Sequence, residues 1–237
     1  MYIVPSNPDN YLKFSNVVYL RKYFSDSTIP MAFTGEIAYV LDVDDVMFNR
    51  GGVTRLGGYL FGMLTRDIHH DKLRIRELDR TVSRRPVRGP ERTLLNIHAR
   101  RWMYQGVPRL IGTIHHKKEA VYVNTGRPNV AAWVEMTKDR LSYYGIGHLF
   151  TGMFFRPEGV STAESKAEAL HTLSRMYEQV RFADDDGRTI LRLAPVMPKN
   201  VELNLLHQPL THRLVPEALL ASFANIRQID HISQIRR

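Results

Sequence analysis

Short apolar runs recur along the chain, each closed by polar residues or glycine. They lie at Ile37–Leu41 (IAYVL), Ala120–Val123 (AVYV), Leu149–Phe155 (LFTGMFF), Gln179–Ala183 (QVRFA) and Val201–Leu206 (VELNLL). Runs of this length predict strands covered on both faces, as in a parallel sheet. Between them the apolar period changes. In Asn129–Tyr144 the apolar positions are Val130, Trp133, Val134, Leu141 and Tyr144; in Ser165–Tyr177 they are Ala169, Leu170, Leu173 and Met176. Both spacings predict helices. Ser165 followed three residues later by Glu168 has the capping-box form and sets the start of the second helix. Strands alternating with helices predict an α/β fold, a Rossmann-like doubly wound parallel sheet.

Two regions fall outside that alternation. Residues 1–36 precede the first core strand and form an N-terminal extension rich in tyrosine. Residues 47–118 separate the first two strands and read as an insertion with two helices, about Val53–His69 and about Pro90–Gln105, joined by the Pro- and Gly-containing loop Arg84–Pro90. The core is then 37–46 with 119–237, and the insertion is a small, mainly helical cap over the C-terminal strand ends, where open α/β sheets bind ligands. A length of 237 residues suits one large domain carrying such an insertion.

Charge sharpens the picture of that insertion. The chain holds 33 Lys+Arg and 24 Asp+Glu, a formal charge of +9. Met47–Lys118 alone carries 16 basic and 5 acidic residues, so the rest of the chain is slightly acidic. A basic cap of this kind is the footprint of a polyanion partner, a nucleotide or nucleic acid. The absence of cysteine excludes disulfides, a thiol nucleophile and thiolate zinc sites. His69-His70 and His115-His116 match no zinc spacing, and there is no GxxxxGK(S/T) phosphate loop. No apolar run reaches the ~18–20 residues that span a bilayer, and the N-terminus lacks the form of a secretory signal. A soluble, cytoplasmic protein is expected.

The chemistry sits at strand ends. The first strand runs directly into Asp42-Val43-Asp44-Asp45-Val46, and Gln179–Ala183 runs into Asp184-Asp185-Asp186. Two carboxylate clusters on one sheet edge repel unless a cation lies between them, and hard oxygen ligands favour Mg²⁺. Asp186, the third acid of its run, reads as a turn residue. The strand at Val121–Val123 leads into Asn124-Thr125-Gly126-Arg127-Pro128, where a hydroxyl and backbone amides suit a phosphate. Lys166, placed in the first turn of its helix, opposes the helix dipole and so suits a bound anion.

Taken in order, Asp42-Val43-Asp44-Asp45-Val46, Thr125 in its TGRP context, Lys166, and the pair Asp184-Asp185 resemble the four motifs of the haloacid dehalogenase superfamily, most of whose members are phosphohydrolases. The resemblance spans about Ile37–Leu206; the N-terminal extension departs from it. It implies phosphomonoester hydrolysis through an aspartyl-phosphate. Asp42 would be the nucleophile, and Asp44 the general acid and then base. Lys166 would neutralise charge, and Thr125, Gly126 and Arg127 would bind the phosphate. Mg²⁺ would be held by Asp42, the main-chain carbonyl of Asp44, and Asp184 or Asp185. The expected substrate is a nucleotide or a nucleic-acid phosphate end reached through the basic cap. Two alternatives stay open: a small phosphorylated metabolite as substrate, or a non-catalytic protein of this fold that binds RNA or a ribonucleoprotein.

Overall fold

In the computed structural model, which describes residues 35–49, 73–207 and 217–236, the first apolar run forms strand β1 (Gly35–Leu41). Alternation along it builds two cores at once: Tyr39 and Leu41 enter one apolar cluster, Ala38 and Val40 the other. Onward from β1 the elements are α1 (Gly89–Ala99), α2 (Gly106–His116), β2 (Ala120–Pro128), α3 (Ala131–Tyr143), β3 (Gly152–Arg156), α4 (Thr162–Ser174), β4 (Tyr177–Asp184), α5 (Gly187–Leu193), β5 (Val201–Leu206), α6 (Glu217–Ala221) and β6 (Ile226–Ile229). The sheet order is β3-β2-β1-β4-β5-β6, and all neighbours run parallel. Side chains of α2 and α3 join the first cluster, and those of α4, α5 and α6 join the second, so helices cover both faces. This is the expected doubly wound α/β architecture.

Several details differ from the sequence expectation. Strand β2 continues past Val123 to Pro128, because pairing with β3 resumes at Pro128 and Arg156 after an irregularity. Strand β3 begins at Gly152, three residues beyond Leu149, which lies in a 3₁₀ turn. The helix expected over Pro90–Gln105 ends at Ala99. A separate helix, α2, follows within the segment expected as insertion, and its Val107, Leu110, Ile111 and Ile114 are buried on the sheet. That amphipathic stripe makes α2 the crossover from β1 to β2. Met47, Phe48 and Met103 also belong to the core. The expected helix at Val53–His69, the pair His69-His70 and residues 1–34 lie outside the described residues.

The start of α4 also moves. The pattern Ser-x-x-Glu occurs twice in succession, at Ser161–Glu164 and Ser165–Glu168. The first pair forms the capping box: Glu164 N–H donates to Ser161 Oγ at 3.2 Å, and Ser161 N–H to Glu164 Oε2 at 3.3 Å. Ser165 and Glu168 are buried inside the helix, and Lys166 falls in the second turn, where the helix-dipole argument no longer applies. Ser161→Ala should therefore cost about 1 kcal/mol of stability, read as a lower urea midpoint at unchanged slope; a change below a few tenths would remove the cap from the account.

Candidate active site

Asp42 is the first residue after β1, and its N–H donates to the Ala183 carbonyl at 3.0 Å, which locks the ends of β1 and β4 side by side. Asp184 ends β4 and Asp185 follows, so all three carboxylates arrive at one edge of the sheet. One oxygen from each of Asp42, Asp184 and Asp185 lies within 4.8 Å of the others, and all three residues are buried. Lys166 reaches them from α4, with Nζ 2.7 Å from Asp184 Oδ2 and 3.3 Å from Asp42 Oδ1. Burial alone would lower the pKa of that ammonium, but the charges of Asp184 and Asp42 outweigh it and raise the pKa well above the ordinary lysine value.

Three carboxylates and one ammonium leave two formal negative charges in a buried space. Such a hard, anionic oxygen set fits a small divalent cation. Asp186 is outside this set. It caps α5, where Oδ1 accepts from Arg188 N–H at 3.2 Å and Oδ2 from the Thr189 hydroxyl at 2.9 Å, as expected of a turn residue. Arg188 pairs with it as well.

Asp44 is held apart from the carboxylate group by its turn. Met47 and Phe48 N–H groups both donate to the Val43 carbonyl, at 3.1 and 2.9 Å, and Asp45 takes the left-handed conformation with φ of 60°. Val43, Val46, Met47 and Phe48 anchor this turn in the core. The Asp44 carboxylate then meets a basic group. Arg127 grips it with two bonds, Nε to Oδ2 at 3.1 Å and Nη2 to Oδ1 at 2.8 Å. Arg101 Nη1 lies 3.0 Å and His98 Nδ1 3.1 Å from the same Oδ1. Burial would raise this carboxyl, yet the Arg127 charge and the hydrogen bonds from His98 and Arg127 hold it well below the usual carboxylate range. His98 moves down: burial dominates over the attraction of Asp44.

The phosphate-binding candidates lie together on strand β2. Thr125 is buried within β2, and its Oγ1 accepts from Arg127 N–H at 3.3 Å. Gly126 faces the start of α4 so closely that a Cβ there would lie 3.0 Å from Thr162 Cγ2, so a larger residue would have to push the Thr162 side chain aside. Arg127 points to Asp44 and to Thr137, whose hydroxyl accepts from Nη1 at 2.8 Å. His98 and Arg101 were not among the expected site residues. They sit at the end of α1 and just beyond it, and their only sequence signal is membership of the basic segment.

The fold is similar to that of haloacid dehalogenase-like hydrolases of known structure. Among solved structures, a predicted phosphatase from Clostridium acetobutylicum superposes with a TM-score of 0.51 at 12% identity, covering 85% of this chain and 98% of that one. A haloacid dehalogenase-like hydrolase from Streptococcus pneumoniae gives 0.50 at 12% identity, covering 85% and 97%. No protein-family model and no curated protein sequence matches the chain. Among the described residues, no helix is long and apolar enough to cross a membrane.

Proposed function

We propose that the protein is a Mg²⁺-dependent phosphomonoester hydrolase acting through an aspartyl-phosphate on Asp42, with a nucleotide or a nucleic-acid phosphate end as substrate. The observation that carries this reading is the convergence of Asp42, Lys166, Asp184 and Asp185, buried together from three separate parts of the chain. A buried cluster with excess negative charge is costly without function.

In this mechanism an Asp42 carboxylate oxygen attacks phosphorus, and the bond from phosphorus to the leaving oxygen breaks. Water then attacks the same phosphorus, phosphate leaves, and the Asp42 carboxylate is restored. Lys166 sits beside Asp42 and offsets its repulsion from the phosphoryl oxygens. Thr125 and the amides around Gly126 orient the phosphate. Asp44 takes the proton of the attacking water, for which its ionised state is the correct one. To protonate the leaving oxygen it must reach that atom protonated and away from Arg127 and Arg101. Asp42, Asp184 or Asp185, and the Asp44 main-chain carbonyl would hold Mg²⁺, which would supply charge neutralisation at the reacting oxygens.

The choice of a nucleotide or nucleic-acid end is supported by the segment leading to the site. Arg74, Arg76, Arg84, Arg88, Arg92 and Arg100 are exposed along it. Solvated cations of this density attract phosphate chains. The test is phosphate release from an aryl phosphate, from nucleotides and from oligonucleotides phosphorylated at either end, with Mg²⁺ and with EDTA. Release that falls by at least about 100-fold in EDTA is expected. Release indifferent to EDTA would overturn the metal role, and none from any member would overturn the hydrolase.

A further inference from the structure

We propose that His98, Arg101 and Arg127 form a second anion subsite, so that the preferred substrates are phosphomonoesters whose alcohol portion carries another phosphate group. The inference rests on the hydrolase reading above and names the substrate class for the same site.

The geometry is that of a receptor for an oxyanion. Side chains from the end of α1, the stretch after it and strand β2 converge on one oxygen, Asp44 Oδ1, at 3.1, 3.0 and 2.8 Å. Arg127 adds a second parallel bond to Oδ2, the fork that guanidinium offers equally to carboxylate and phosphate. Arg101 and Arg127 are each 5% exposed, so their charges act in a space largely closed to water, where attraction for an anion is strong.

These donors are held in place by groups other than Asp44. Thr137 accepts from Arg127 Nη1 at 2.8 Å and in turn donates to the Trp133 carbonyl at 2.7 Å. His98 packs edge-on against the Trp133 ring, 5.2 Å between centroids. The Arg101 main chain is fixed by Arg140, which donates to its carbonyl, and by its own N–H, which donates to the His98 carbonyl at 3.3 Å; its Nη1 also lies 2.9 Å from His98 Nδ1. The cations are therefore positioned around a fixed point that would persist if the Asp44 carboxylate swung aside. Asp44 follows Asp42 by two residues in the turn after β1, and the Arg127 N–H donates to Thr125 Oγ1 at 3.3 Å, so the subsite is placed beside the phosphoryl site. In the mechanism, Asp44 must leave the guanidiniums to serve the leaving oxygen. A substrate phosphate that takes its place satisfies the vacated donors and frees Asp44 in one exchange. A substrate with a single phosphate leaves both arginines without that replacement.

The second phosphate could be a monoester on the same nucleoside or the phosphodiester of a strand end, and the experiment separates them. Turnover is compared for nucleoside 3′- and 5′-monophosphates, nucleoside 3′,5′-bisphosphate and dinucleotides phosphorylated at either end. One charge-assisted pair predicts a kcat/KM about 10- to 100-fold higher with the second phosphate present. Arg101→Met should bring that ratio within about 3-fold of unity, and Arg101→Lys should keep part of it. Thermal melts of both variants check folding. In parallel, the same ligands are titrated by calorimetry into the Asp42→Asn protein with Mg²⁺, with and without Arg101→Met.

Equal kcat/KM for mono- and bisphosphates, alongside metal-dependent turnover, overturns the subsite and leaves the hydrolase standing. An undiminished ratio in folded Arg101→Met overturns it as well. If nothing is turned over, the hydrolase reading falls and calorimetry alone decides. Tighter, Arg101-dependent binding of the bisphosphate or dinucleotide then keeps the subsite, and equal binding removes it.

Discussion

Asp42→Asn is expected to lower metal-dependent phosphate release by about 10⁴-fold or more while leaving the protein folded. The amide is nearly isosteric with the carboxylate but is a poor nucleophile. The fold does not depend on the lost charge. Lys166 keeps its 2.7 Å bond to Asp184, and the Asp42 N–H still pairs with the Ala183 carbonyl. Removing one of three buried carboxylates also relieves repulsion, so the metal-free melting temperature should hold or rise. The gain from adding Mg²⁺ should shrink, since a ligand that binds only the folded state stabilises by its occupancy. Acid-quenched reactions with labelled substrate provide the second readout: wild type should retain phosphate bound to protein, and the variant should not. A variant keeping a tenth of the wild-type rate would place the nucleophile elsewhere.

How much of this was legible in the sequence depends on the range of the interaction. Strand β5 lies where its apolar run predicts, residue for residue, because all its positions but the partly exposed Glu202 are buried and Val201, Leu203, Leu205 and Leu206 carry the signal. Strand β6 gave no such run: Ile226 and Ile229 enclose Arg227 and Gln228, as suits an edge strand with one partner. The start of α4 was displaced by a repeated Ser-x-x-Glu, a local pattern that only tertiary packing could resolve, since Arg80 claims the second pair. The acidic residues were visible as candidates because each stands immediately beyond a recognisable strand. The surroundings of Asp44 were not. Its partners lie 54, 57 and 83 residues away, in an Arg-rich segment and a strand where nothing local ranks one cation above another. For the same reason Arg127, expected on the substrate phosphate, is found on Asp44, a pairing that composition and spacing could not express.

The largest expected loss of stability follows from the same kind of long-range pairing, made to the α4 residues on either side of Lys166 in sequence. Arg80 comes from the segment before α1 and is almost fully buried against α4. Its Nη2 lies 2.6 Å and its Nε 2.9 Å from Glu168 Oε2. Nη1 donates to the Phe155 carbonyl and Nη2 to that of Ser165, both at 2.7 Å. The side chains of Arg80 and Glu168 are 2% and 5% exposed. Arg80→Met should therefore cost about 3–5 kcal/mol, because Glu168 is left as a buried charge without its partner. That is a large share of the ~5–15 kcal/mol that a domain has in total. Adding Glu168→Leu to it should recover the part due to the stranded carboxylate, since an apolar pair of similar volume avoids the desolvation cost. Recovery should stop short of wild type, because the bonds from Arg80 to the carbonyls of Phe155 and Ser165 are not replaced. Urea unfolding of the wild type, both single variants and the double variant gives the cycle. A double variant no more stable than Arg80→Met would mean that the carbonyl bonds, and not the ion pair, hold this segment down. Because Ser165 and Glu168 flank Lys166 on α4, the two accounts differ in consequence: loss of the carbonyl bonds frees the chain at Ser165, one residue from the ammonium, and should lower kcat, whereas loss of the ion pair alone should lower stability and leave kcat in place.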